Sequence, residues 1–159
     1  MPTNAVIRRL GPADVLPFRA MQAVFADAFA DPESYLARPP SDAYVARWLG
    51  SEARVMLVAE IDGEIIGGLS AYVLDKAEQE RSEIYVYDLA VLERHRRRGV
   101  ATALFRELQA IGAAIGAWVI FVQADHGDEP AIALYTSLGT REDVLHFDVP
   151  VPPSPDRAR

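Results

Sequence analysis

Three parts of this sequence carry residue types at spacings that chemistry can use. The first is Asp88, inside a run from Glu83 to Val91 whose alternation marks a β-strand. Alternation places Ile84, Val86, Asp88 and Ala90 on one face and Tyr85, Tyr87, Leu89 and Val91 on the other. Aspartate is a poor strand former, and a carboxylate in a mostly apolar sheet needs a partner or a water-filled cleft. Asp88 is therefore a candidate base or ammonium anchor, with a bulge or a buried pair with an arginine as the structural alternatives. The second part is Arg96, Arg97, Arg98, Gly99, Val100 and Ala101, between that strand and an amphipathic helix pattern. A helix N-terminus carries about half a positive charge and unpaired backbone N–H groups, so a small-residue turn there can hold a diphosphate. A solvated basic loop is the plain alternative, and the run from Arg94 to Arg98 also admits a nucleic-acid patch. The third part, Asp125, His126, Gly127, Asp128 and Glu129, follows a short apolar strand pattern at residues 118–124. Strand ends in open α/β sheets favour ligands, and several carboxylates there suit a polycation. Asp128, just before Glu129 and Pro130, equally reads as a helix cap.

Tyr135 lies within Leu134, Tyr135, Thr136, Ser137, Leu138 and Gly139, where core packing competes with a proton-donor role. The three histidines, His95, His126 and His146, form no close ligand pair, and no HExxH pattern occurs. No metal is implied.

The elements that must position these residues follow from periodicity. Residues 6–8 suggest a first strand, and Gly11, Pro12 and Asp14 a turn into a helix striped by Val15, Phe18, Met21, Phe25 and Phe29. Pro32, Pro39 and Pro40 make residues 31–40 a surface loop, after which Ser41 caps a short helix carrying Tyr44, Val45, Trp48 and Leu49. Asp62 and Gly63 join strand patterns at 54–61 and 64–74 into a hairpin, and residues 82–92 form a third long strand. Val100, Leu104, Leu108, Ile111 and Ile115 then stripe a helix closed by Gly116. A strand at 118–124, a helix at 131–138 and a last strand at 144–149 complete the order. Mixed antiparallel and parallel strands with interleaved helices predict an α/β fold.

With 159 residues the chain reads as one domain, residues 1–149, followed by a proline-rich tail, residues 150–159. The absence of cysteine excludes disulfides, thiolate metal sites and a cysteinyl acyl intermediate. No stretch approaches the roughly 18 apolar residues of a membrane span, and no secretory signal is apparent, so a cytoplasmic protein without a membrane partner is expected. A net charge of −7 disfavours nucleic acid and mildly favours a cationic small molecule or peptide. The tail suggests packing on a second subunit, hence a homodimer.

Together these motifs resemble the GCN5-related N-acetyltransferase (GNAT) family. Arg96, Gly99 and Ala101 meet its arginine, two residues, glycine, one residue, small residue signature, after a strand ending Asp88, Leu89, Ala90, Val91. Within the family, the stretch from Tyr85 to Val91, Val122 to Asp125, Leu134 to Gly139 and Val144 to Asp148 are similar to aminoglycoside 3-N-acetyltransferases of the gentamicin-resistance type. The resemblance spans residues 57–148 and is looser in the N-terminal third. It implies a central mixed sheet of about six to seven strands flanked by about four helices. It further implies acetyl-coenzyme A pairing with Leu89, Ala90 and Val91, its diphosphate on the N–H groups of Arg97, Arg98, Gly99, Val100, Ala101 and Thr102, with Arg96 supporting the loop. Asp88 is then expected to accept the proton of an amine that attacks the thioester directly, and Tyr135 to protonate the departing thiolate. Asp125, Asp128, Glu129, Asp143 and Asp148 are expected to bind the remaining ammonium groups of a cationic aminoglycoside. Another polyamine, a protein amine, or a noncatalytic acetyl-coenzyme A module are the alternatives.

Overall fold

Apolar periodicity sets the first layer of the structure. In α1 (Val15–Ala28) the buried residues are Phe18, Met21, Val24, Phe25 and Ala26, and all but Ala26 form one stripe at three- and four-residue steps. With Val45, Trp48 and Leu49 of α3 (Asp42–Leu49) this stripe packs on Met56, Val58 and Ala90 of the sheet. Each large side chain so buried contributes about 1.5–3 kcal/mol. The intervening sheet positions Val55, Leu57 and Ala59 are buried too, because α4 (Val100–Ile115) packs against the same strands. The computed structural model describes residues 3–154. Residues 155–159 of the expected tail lie outside the described residues.

Five strands form one sheet in the order β1 (Val6–Arg9), β2 (Arg54–Ile61), β3 (Glu64–Asp75), β4 (Ser82–Val91), β5 (Ala117–Val122). The first four pair antiparallel and β5 runs parallel to β4. Asp62 and Gly63, with φ of 50° and 80°, make the β2–β3 hairpin turn, where both central residues need positive φ. Gly112 continues the buried row Val100, Leu104, Leu108 of α4, and a Cβ there would meet Ile84 Cδ1 at 3.3 Å. The expected row ended instead on Ile111 and Ile115. Ile115 is exposed, because the four-residue step reaches glycine where the helix comes closest to β4.

Among the described residues the sheet has five strands, not six to seven. Residues 144–149 form no strand among the described residues: a strand needs a ladder partner for its N–H and C=O groups, which alternation alone does not supply. Leu145, Phe147 and Val149 are 84%, 78% and 84% exposed. Among the described residues the α-helices number five, not four, because the proline-rich segment contains α2 (Pro32–Leu36). Asp31 caps it by accepting from Ser34 N–H at 3.0 Å, and Pro32 occupies the first turn, where its missing N–H costs nothing. Contacts divide the chain into two compact units, Met1–Asp125 and His126–Arg159. The second contains α5 (Glu129–Leu138), capped by Asp128 through Ala131 N–H at 3.2 Å. Among the described residues no helix is long and apolar enough to cross a membrane.

Candidate active site

A register shift in the sheet creates the site. Ser70 of β3 lies opposite Asp88, but its neighbour Ala71 lies opposite Val86, which leaves Tyr87 as an extra residue on β4. Tyr72 lies opposite Tyr85, and residues directly opposite share a face. Asp88 therefore lies on the face of Ser70, Tyr72 and Tyr85, not with Ile84 and Val86 as strict alternation places it. The bulge turns the carboxylate away from α4, toward the α1 side of the sheet.

There the half-buried carboxylate has two partners. Tyr35 Oη donates to Oδ1 at 2.8 Å, and Ser70 Oγ donates to Oδ2 at 3.2 Å. Both are neutral hydroxyls, and among the described residues no arginine or lysine forms an ion pair with Asp88. Burial pushes the Asp88 carboxyl above the usual carboxylate range, while the bonds from Tyr35 and Ser70 pull it down. Each oxygen accepts one bond and keeps a lone pair for a cationic donor. Burial, then the bond to Asp88, raises the Tyr35 phenol far above its ordinary value, so it remains a donor.

Neither Tyr35 nor Ser70 stands out in the sequence. The cap formed by Asp31, Pro32 and Ser34 was a readable helix start, and Ser70 is a polar residue in an apolar strand run. Nothing in the sequence joins Tyr35 to a residue 53 positions away.

Beyond Val86, paired with Val122, β4 has no strand partner on its β5 side among the described residues. Leu89, half-buried, and Ala90 and Val91, both buried, belong to this unpartnered stretch. The Val91 carbonyl accepts from Arg96 Nε at 2.9 Å, which ties the following turn to the strand end. Arg97 and Gly99 both have positive φ, 61° and 74°, and Gly99 caps α4 without a side-chain acceptor. The first-turn N–H groups at Val100, Ala101 and Thr102 thus face no capping side chain, and Arg97 and Arg98 are exposed beside them. This combination of a free strand edge and an uncapped helix start fits an extended anionic ligand.

Asp125 is exposed at the end of the first unit. The other candidates belong to the second. Asp128 serves as the α5 cap and Glu129 lies in its first turn. Asp143 pairs with Arg141 at 2.7 Å, and Asp148 Oδ1 lies 2.9 Å from His146 Nε2. These local partners account for three of the carboxylates expected to meet a polycation. Tyr135, half-buried in α5, has its phenol pushed up to about 12 by burial and by nearby Asp128. Among the described residues no group of three or more histidine, aspartate or glutamate side chains could hold a metal.

Comparison with known proteins bears on this geometry. The model of the acetyltransferase (GNAT) family matches residues 20–140. An aminoglycoside acetyltransferase from an uncultured soil metagenomic sample has a solved structure with a TM-score of 0.92 and 53% identity, covering 94% of this chain and 100% of that one. A second soil metagenomic aminoglycoside acetyltransferase, solved in complex with sisomicin, has a TM-score of 0.85 and 28% identity, covering 93% of this chain and 97% of that one. An N-alpha-acetyltransferase from Sulfurisphaera tokodaii is 32% identical over 96 residues, which are 54% of this chain and 55% of that protein. The match thus spans about half the length of that curated relative.

Proposed function

From the premise that the chain belongs to the GNAT acetyltransferase family, we propose that it transfers an acetyl group from acetyl-coenzyme A to the 3-amino group of an aminoglycoside. The observation that carries the reading is the uncompensated Asp88 carboxylate beside the unpartnered edge of β4. A relative with 53% identity is an aminoglycoside acetyltransferase, and a more distant one was solved with sisomicin, which supports a cationic sugar as acceptor.

In this reading the pantetheine arm of the coenzyme pairs with backbone at Leu89, Ala90 and Val91. Its diphosphate takes the N–H groups from Arg97 to Thr102, with Arg96 bracing the turn. The acceptor arrives as an ammonium and must lose a proton before its nitrogen can attack the thioester carbon. Asp88, held by two hydroxyls, takes that proton directly or through one water. Attack forms the C–N bond. Collapse then breaks the C–S bond, and Tyr135, protonated at neutral pH, returns a proton to the departing thiolate. A strand N–H near Leu89 or Ala90 stabilises the oxyanion between these steps. Asp125, Asp128, Glu129, Asp143 and Asp148 offer anionic positions for the other ammonium groups. Each exposed pair contributes about 1 kcal/mol or less, so acceptor affinity falls with salt.

The partial match to an N-alpha-acetyltransferase favours a second reading, in which a peptide amine is the acceptor. Thiol release from acetyl-coenzyme A, measured with sisomicin, gentamicin, kanamycin and a peptide, separates the two. Release with the aminoglycosides and an added acetyl mass on them is expected. Release with the peptide alone rejects the first reading.

A further inference from the structure

We infer that Tyr35 is a positioning residue for this reaction: its hydroxyl, delivered by α2 to Asp88 Oδ1, orients the carboxylate and keeps it a proton acceptor. The inference rests on the reading of Asp88 as the base. Two independent anchors fix that hydroxyl. Ring contacts with Phe25 and Phe29, at centroid distances of 5.6 and 5.8 Å, hold the phenol against α1. The Asp31 cap on Ser34 N–H holds the backbone of α2. Tyr35 therefore reaches Asp88 from a segment anchored on α1 and by its own helix cap.

Its effect on Asp88 has a defined sign. The groups facing the carboxylate are Tyr35 from α2, Ser70 and Tyr72 from β3, and Tyr85 on its own strand. Among the described residues only Tyr35 and Ser70 donate to it, and burial opposes both. A donor bonded to a carboxylate favours the charged form, so loss of the Tyr35 hydroxyl drives Asp88 toward the protonated form that cannot accept a proton. Tyr35 itself, its own proton held tightly, never competes for the role of base. The same bond ties the 31–40 segment to the reaction through Asp88.

The test is Tyr35→Phe, which keeps the ring in its aromatic contacts and removes the hydroxyl alone, with Ser70→Ala in parallel. Two quantities are followed: the acid limb of kcat/KM with sisomicin, and the carboxyl ¹³C titration of Asp88 in protein labelled at aspartate, assigned by Asp88→Asn. Melting temperatures confirm that each variant is folded. In Tyr35→Phe both the titration midpoint and the acid limb are expected to move up by about one pH unit, the size expected for a charge-assisted hydrogen bond. The limiting rate at high pH is expected to return toward the parent value. A carboxyl midpoint that stays in place in folded Tyr35→Phe overturns the inference. A midpoint that moves while the acid limb stays in place rejects Asp88 as the base, and with it any part for Tyr35 in the reaction.

Discussion

Substituting Gly67 tests how closely β3 is packed beside the β4 segment proposed to hold the coenzyme. Gly67 of β3 lies opposite Val91 at the end of β4. A Cβ built there would lie 2.8 Å from the Ala90 carbonyl oxygen, 3.1 Å from Val91 Cγ2 and 3.2 Å from Val91 Cα. Two of these atoms are backbone and cannot rotate aside. Gly67→Ala must therefore push Ala90 and Val91 outward by a few tenths of an ångström or strain the β3–β4 ladder. Overpacking of this kind costs about 1–3 kcal/mol, and for a chain of this size each kcal/mol lowers Tm by about 2–4 °C. A drop of about 5 °C is expected, with KM for acetyl-coenzyme A rising about tenfold because the displaced residues are those assigned to the pantetheine arm. Gly139→Ala is the control: nothing lies within 4 Å of its Cβ position and its backbone is extended, so a change within about 0.5 kcal/mol is expected. Differential scanning fluorimetry and coenzyme titration of initial rates supply both readouts. An unchanged Tm and KM in Gly67→Ala refutes the close approach and its link to the coenzyme edge.

Other outcomes follow from the same structure. Because burial raises Asp88 in the folded state, the native protein binds that proton more tightly than the unfolded chain, whose value is near 3.8. Stability owed to this group therefore falls as pH rises from near 3.8 through the raised native value. Asp88→Asn should gain in Tm relative to the parent across that window and keep the gain at neutral pH, measured by thermal melts at a series of pH values. Tyr135→Phe should lower kcat by about 10²–10³ with little change in acceptor KM, as expected on loss of a general acid. If product release limits its turnover, a pre-steady-state burst of thiol will show it.

Much of the scaffold was legible because its signals are local. The stripe of α1, the Asp62–Gly63 hairpin and the Gly116 stop each depend on a few neighbouring residues and on backbone geometry that those residue types favour. Gly116 does end α4 with φ of 75°. The turn from Arg96 to Ala101 was readable for the same reason. A bulge at Asp88 was one of the alternatives that the poor strand propensity of aspartate raised, and one is present beside it. What escaped was long-range: a bulge arises from the pairing of two strands, so no pattern within β4 alone announces that Tyr87 is the extra residue. The contacts of Tyr35 and Ser70 with Asp88 join three separate elements. Residues 144–149 show the opposite failure, a clear alternation without the ladder that a strand requires. Asp128, read either as a ligand or as a cap, caps α5 through Ala131 N–H.

The most direct test of the account is the single-turnover rate of acetyl transfer to sisomicin by Asp88→Asn, with enzyme and coenzyme both saturating. The amide oxygen can still accept from Tyr35, so the local fold is retained while the proton acceptor is lost. A fall of about 10²–10⁴, narrowing as rising pH supplies the amine already deprotonated, is the predicted result. A rate within tenfold of the parent at neutral pH contradicts the central claim that Asp88 takes the acceptor's proton.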